Sequence, residues 1–159
     1  AGMPEPSEID QDPRYLEPDG TLSQHWADYH SHDIWQRAQR NDHNAWMYAS
    51  LADVKRNIYS TGYPESQCEF IKGKVEDTIP ARIPDSISIL RLDTDFYNST
   101  YHELIHLFPL LSPAGVLIID DYGCFMGCRK ATDKYFAENN IAILLNRITW
   151  STRIAIKSM

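Results

Sequence analysis

Two short apolar runs, each ending abruptly in aspartates, constrain the fold of this chain more than any other feature. The first is Ile87-Ser-Ile-Leu-Arg-Leu92, followed by Asp93-Thr-Asp95. The second is Val116-Leu-Ile-Ile119, followed by Asp120-Asp121-Tyr-Gly123. Short runs rich in β-branched residues suit strands buried on both faces of a parallel sheet. The segment between them is long enough for the helical crossover that parallel neighbours require. Ligands in such sheets sit just beyond the carboxyl ends of the strands. Asp93, Asp120 and Asp121 therefore converge at one edge. Three carboxylates in one place repel unless a positive charge joins them, and an all-oxygen set suits a hard divalent cation. Asp95 reads as no more than a turn or helix-capping aspartate.

Composition narrows the partners. The 159 residues are enough for one domain with a real core. A net charge of −7 without any basic run argues against nucleic acid or an anionic membrane as the main partner. No apolar stretch reaches membrane-spanning length and no signal peptide is visible. The three cysteines, Cys68, Cys124 and Cys128, form no paired framework, which suits a reducing cytoplasm. Cys124-x-x-x-Cys128 lacks a second ligand pair at zinc spacing.

Along the chain, residues 1–49 show little periodicity and carry four prolines, four histidines and several large aromatics. They read as a loop-rich, lid-like segment, with a short helix at Asp33–Arg40. Residues 50–159 form an α/β core. Ser50 and Asp53 make a capping box for a helix whose Leu51, Val54 and Ile58 share a face, ended by Gly62 and Pro64. Cys68–Ile71 reads as a short strand. After Ile87–Leu92, Thr100 and Glu103 read as a second capping box, and Pro109 disturbs the last turn of that helix. Gly127–Asn139 is a helix with Ala131, Tyr135 and Phe136 inward. Ile141–Leu145 and Ile148–Lys157 read as a closing pair of strands, the latter alternating through Ile148, Trp150, Thr152, Ile154 and Ile156. The expected architecture is α/β, a mainly parallel sheet with a C-terminal antiparallel hairpin.

Three stretches carry a resemblance. Leu90-Arg-Leu-Asp93-Thr-Asp95-Phe-Tyr97-Asn-Ser99-Thr100, Leu110-Leu-Ser-Pro-Ala-Gly115 and Ile118-Ile-Asp120-Asp121-Tyr122-Gly123 resemble the macrocin O-methyltransferase family. Gly62-Tyr63-Pro64, Phe70–Thr78 and Ala1–Pro6 match it upstream. The resemblance implies a Rossmann-like class I fold and methylation of a sugar hydroxyl in antibiotic biosynthesis. It implies S-adenosyl-L-methionine and Mg2+ as cofactors, a small-molecule glycoside acceptor and a possible homodimer. Carried over residue by residue, it makes Asp93, Asp120 and Asp121 the metal ligands and Asp93 also the catalytic base. Val75 and Glu76, in the loop flanking the adenine, become cofactor contacts.

The sequence departs from the family in one respect. None of its seven glycines forms the Gly-x-Gly turn that holds the methionine end of the donor. The first two strands of the fold are therefore expected to be missing. Ile87–Leu92 should then be an edge strand, Cys68–Ile71 poorly paired and donor binding weak. Two rivals follow: a non-catalytic fragment retaining the metal and acceptor half of the site, and an aspartate-nucleophile phosphatase. The phosphatase reading rests on Asp93-Thr-Asp95 with Asp120-Asp121, but Tyr97 stands where Thr or Val should, and a lysine motif has no room.

Overall fold

The computed structural model describes residues 2–10 and 31–158. Its centre is a four-stranded sheet made of β1 (Ile87–Leu92), β2 (Leu111–Ile119), β3 (Asn146–Arg147) and β4 (Arg153–Ile156), in the order β1-β2-β4-β3. Among the described residues five α-helices accompany it: α1 (Ser31–Arg37), α2 (Leu51–Tyr59), α3 (Val75–Thr78), α4 (Tyr97–Leu107) and α5 (Met126–Glu138). β1 and β2 run parallel, joined by α4 as the crossover, while β4 pairs antiparallel with both β2 and β3. The described sheet is thus mixed, with one parallel pair against two antiparallel ones, and not mainly parallel.

One face of the sheet is dry. Leu90 and Leu92 of β1, Leu117 and Ile119 of β2 and Ala155 of β4 pack with Leu104, Phe108, Tyr135 and Phe136 from the α4 and α5 side. Alternate residues point the other way. There Ile89 is 66% exposed and Ile156 65% exposed, so burial on both faces, expected from the apolar runs, is met on one face only. β1 is the edge strand of the described sheet, the position expected for it.

Helix termini follow local chemistry where the signal is local. Ser50 caps α2 by accepting a hydrogen bond from the Asp53 amide, as its capping box predicts. Pro109 lies in a single 3-10 turn, Phe108–Leu110, that follows α4. The second capping box is not formed. α4 starts three residues earlier, at Tyr97, and Thr100 and Glu103 are buried inside it. Among the described residues Ile141–Leu145 forms no ladder, Cys68–Ile71 forms none either, in line with the poor pairing expected of it, and the closing hairpin is shorter than expected. Extended, β-favouring residues become strands only where a neighbour offers hydrogen bonds.

The lid-like segment is partly described. Trp26, His25, Tyr29 and His30 lie outside the described residues. Of the rest, the Trp35 indole donates to the Met3 carbonyl at 3.0 Å. Trp46 packs against Phe96 and Phe125, ring centroids 6.2 and 6.3 Å away, which attaches the segment to the core beside the carboxyl ends of β1 and β2. No helix among the described residues is long and apolar enough to cross a membrane.

Candidate metal and acceptor site

The register of the parallel pair creates the site. Leu92 stands opposite Ile119, and the Asp120 amide donates to the Leu92 carbonyl at 3.0 Å. Asp93 and Asp120 therefore leave adjacent strands at the same level, with Asp121 one residue on. Each of the three aspartates offers a carboxylate oxygen, and these oxygens all lie within 4.8 Å of one another.

Their surroundings differ. Asp93 is exposed and Asp120 half-buried, while Asp121 is 6% exposed. The Thr152 hydroxyl donates to Asp120 Oδ1 at 3.1 Å. The Cys124 thiol reaches Asp121 Oδ1 at 3.4 Å, but buried Asp121 Oδ2 has no hydrogen-bond partner among the described residues. An unpaired buried carboxylate oxygen is costly, and a cation is one way to satisfy it. Burial, then repulsion from Asp93 and Asp120, pushes the Asp121 carboxyl above its ordinary range.

Sequence reading missed three members of this site. Asp95, taken as a capping residue, is buried with its backbone in the left-handed region (φ 65°), and burial followed by the Asp121 charge raises its pKa. Glu103, taken as part of a capping box, lies buried under the same loop and accepts from the Thr94 hydroxyl at 2.8 Å. Its burial outweighs that hydrogen bond and pushes its carboxyl up to about 7. Arg91 puts its guanidinium 2.6 Å from Asp93 and 3.1 Å from Asp120. The available signal for Arg91 was a single charge inside an apolar strand. For Glu103 it was a carboxylate adjoining the inward Leu104.

Val75 and Glu76 open α3, Val75 half-buried and Glu76 exposed. α3 packs on α4, and His102 of α4 hydrogen-bonds the Ile79 carbonyl at 2.9 Å. The Glu76 charge is among those acting on Glu103, so α3 lies on the side of the acidic cluster. The two tyrosines that flank the aspartate motifs, Tyr97 and Tyr122, have partners of their own. Tyr97 stacks on Tyr101, and the Tyr122 hydroxyl donates to Asp133 at 2.7 Å.

The architecture matches solved methyltransferases. The O-methyltransferase NovP superposes with a TM-score of 0.70 at 28% identity, over 96% of this chain and 58% of that one. The calicheamicin methyltransferase CalS11, at 13% identity and a TM-score of 0.60, shares the fold. These likenesses define an α/β methyltransferase-like fold. The family model "Macrocin-O-methyltransferase (TylF)" matches residues 24–155, and the chain belongs to that family of O-methyltransferases. Mycinamicin III 3''-O-methyltransferase of Micromonospora griseorubida is 40% identical over 93 residues, 58% of this chain and 36% of that protein. The 8-demethyl-8-(2,3-dimethoxy-alpha-L-rhamnosyl)-tetracenomycin-C 4'-O-methyltransferase of Streptomyces olivaceus is 33% identical over 118 residues, 74% of this chain and 45% of that protein. The chain thus spans under half the length of these relatives. Family membership displaces the phosphatase reading.

Proposed function

We propose that this chain carries the metal and acceptor side of a magnesium-dependent O-methyltransferase that methylates a sugar hydroxyl of a natural product in the cytoplasm. In this reading residues 1–49 are the lid over a 50–159 core. The observation that carries it is the convergence of Asp93, Asp120 and Asp121 around the unpartnered Asp121 Oδ2. A donor set of hard carboxylate oxygens fits a divalent ion of the magnesium type. Bound there, magnesium supplies a Lewis acid that lowers the pKa of a sugar hydroxyl.

The protein's own groups divide the remaining work. Asp93, the most exposed of the three, takes the proton from the attacking hydroxyl. Asp121 is held by the buried Cys124 contact and Asp120 by Thr152, so both present their oxygens from fixed positions. S-adenosylmethionine would supply the methyl group, and Val75 and Glu76 are the residues of this chain that would contact it.

The residues present fit that donor only in part, because no Gly-x-Gly turn stands in the sequence. This supports a second reading, a chain that keeps the metal and acceptor side without transferring methyl. Calorimetry separates the two. Magnesium should bind the chain and fail to bind Asp121→Asn, whereas equal heats for both would overturn the metal assignment. S-adenosylmethionine should bind weakly; tight binding would remove the second reading. The oligomeric state, proposed as a homodimer, is read by sedimentation on the same samples.

A further inference from the structure

Arg91 lies on β1 between Leu90 and Leu92, whose side chains are buried on the opposite face of the sheet. Its two terminal nitrogens form a fork across the carboxyl ends of β1 and β2. Nη1 is 2.6 Å from Asp93 Oδ2 and Nη2 is 3.1 Å from Asp120 Oδ2. The second oxygen of Asp120 already accepts from Thr152. Two of the three aspartates thus have an arginine as counter-ion, while Asp121 Oδ2 has no hydrogen-bond partner among the described residues.

A divalent cation shared by the three carboxylates would draw on two groups, Asp93 and Asp120, that this fork already engages. A guanidinium and a metal ion on the same carboxylates repel each other, so the two compete. We propose that Arg91 is a resident counter-ion that holds Asp93 and Asp120 together without metal and must be displaced when a divalent cation binds. The proposal rests on the metal reading above and adds a determinant of its affinity.

Displacement is feasible because the pair is wet. The Arg91 side chain is 51% exposed, against 46% for Asp93 and 33% for Asp120. Ion pairs this exposed are weak, and a long arginine can swing into water at little cost. A stronger, buried clamp would shut the cation out. The fork therefore keeps the acidic cluster assembled and tunes its affinity without closing it.

The test compares wild type, Arg91→Gln and Arg91→Lys. Magnesium affinity is read by calorimetry at low ionic strength, and thermal stability is read with and without the ion. Arg91→Gln should bind magnesium roughly three- to tenfold more tightly, the scale of two exposed ion pairs. It should melt lower than wild type in chelator, and the gap should close in magnesium. Arg91→Lys keeps the charge but cannot span both carboxylates, so it should show part of the gain. Unchanged or weaker binding by Arg91→Gln would overturn the proposal. So would Arg91→Lys matching wild type while Arg91→Gln gains, since net charge alone would then account for the effect. If neither wild type nor the variants bind magnesium, the metal reading itself fails and takes this proposal with it. That outcome is distinct from normal binding that ignores Arg91.

Discussion

The backbone amide of Tyr97 donates to the carboxylate of Asp10 at 2.7 Å, across 87 positions of sequence. Tyr97 is the first residue of α4, and Phe96 before it offers no side-chain cap. Asp10 fills that role from a distant segment. Its other oxygen accepts from the Ser7 amide at 2.9 Å and from the Ser7 hydroxyl. A carboxylate at this position also favours the helix dipole. The loop that carries Asp93 and Asp95 leads directly into this helix, so the N-terminal segment steadies the site from outside.

Removing that cap should weaken the fold. Asp10→Ala is expected to cost about 1–2 kcal/mol, the range for losing a helix cap. Gly127 faces the same carboxylate, and a Cβ there would collide with Asp10 Oδ1 and lie 2.7 Å from the Tyr97 nitrogen. Gly127→Ala should therefore cost about 1–3 kcal/mol by overpacking. In an Asp10→Ala background its cost should fall. Urea denaturation of the double-mutant cycle reads the coupling, and strictly additive costs would contradict the shared contact.

Stability should decline from weakly acidic to neutral pH in metal-free buffer. Glu103 has a native pKa of about 7, against roughly 4.3 for an unfolded glutamate. Between those values the native state keeps a proton that the unfolded state has released. The stabilisation is complete below the unfolded pKa and lost as pH rises through the native one. Asp95 and Asp121, both raised, act in the same direction. Glu103→Gln keeps an acceptor for Thr94 and carries no charge, so it should flatten the slope. The check is melting temperature from pH 5 to pH 8 in chelator, where each kcal/mol is about 2–4 °C for a chain of this size. A slope unchanged in Glu103→Gln would exclude Glu103 as its source.

The edge and outer face of the sheet should make the chain associate with itself. Among the described residues β1 pairs on one side only, and Ile89 of β1 and Ile156 of β4 lie exposed on the outer face of the sheet. Open edges bearing apolar side chains recruit further strands. Ile89→Lys with Ile156→Lys should lower the apparent mass in light scattering at high concentration, with little change in melting temperature. Equal association by both proteins would place the contact elsewhere.

Core substitutions should separate packed from peripheral helices and strands. Leu117 is 0% exposed at the centre of β2, and Leu117→Ala should cost about 2–5 kcal/mol. Leu51, on the helical face read from sequence, is 51% exposed, and Leu51→Ala should cost under about 1 kcal/mol. Similar losses at both positions would mean that α2 packs more tightly than its exposure indicates.

Local sequence determined the parts of this protein whose cause is local. The apolar runs of β1 and β2 and their terminal aspartates were legible because strand propensity and ligand-bearing strand ends need no distant partner to be recognised. The same holds for the Ser50 cap of α2 and the inward Ala131, Tyr135 and Phe136 of α5. Tertiary structure decided whatever depends on a neighbour. Cys68–Ile71 and Ile141–Leu145 favour extended backbone yet find no ladder. Thr100 and Glu103 have the spacing of a cap, but Asp10 caps α4 from elsewhere and leaves Glu103 buried beside Thr94. Arg91 was visible as a charge in an apolar strand. Which carboxylates it reaches follows from the pairing of Leu92 with Ile119, because that register alone brings Asp93 and Asp120 to the same level.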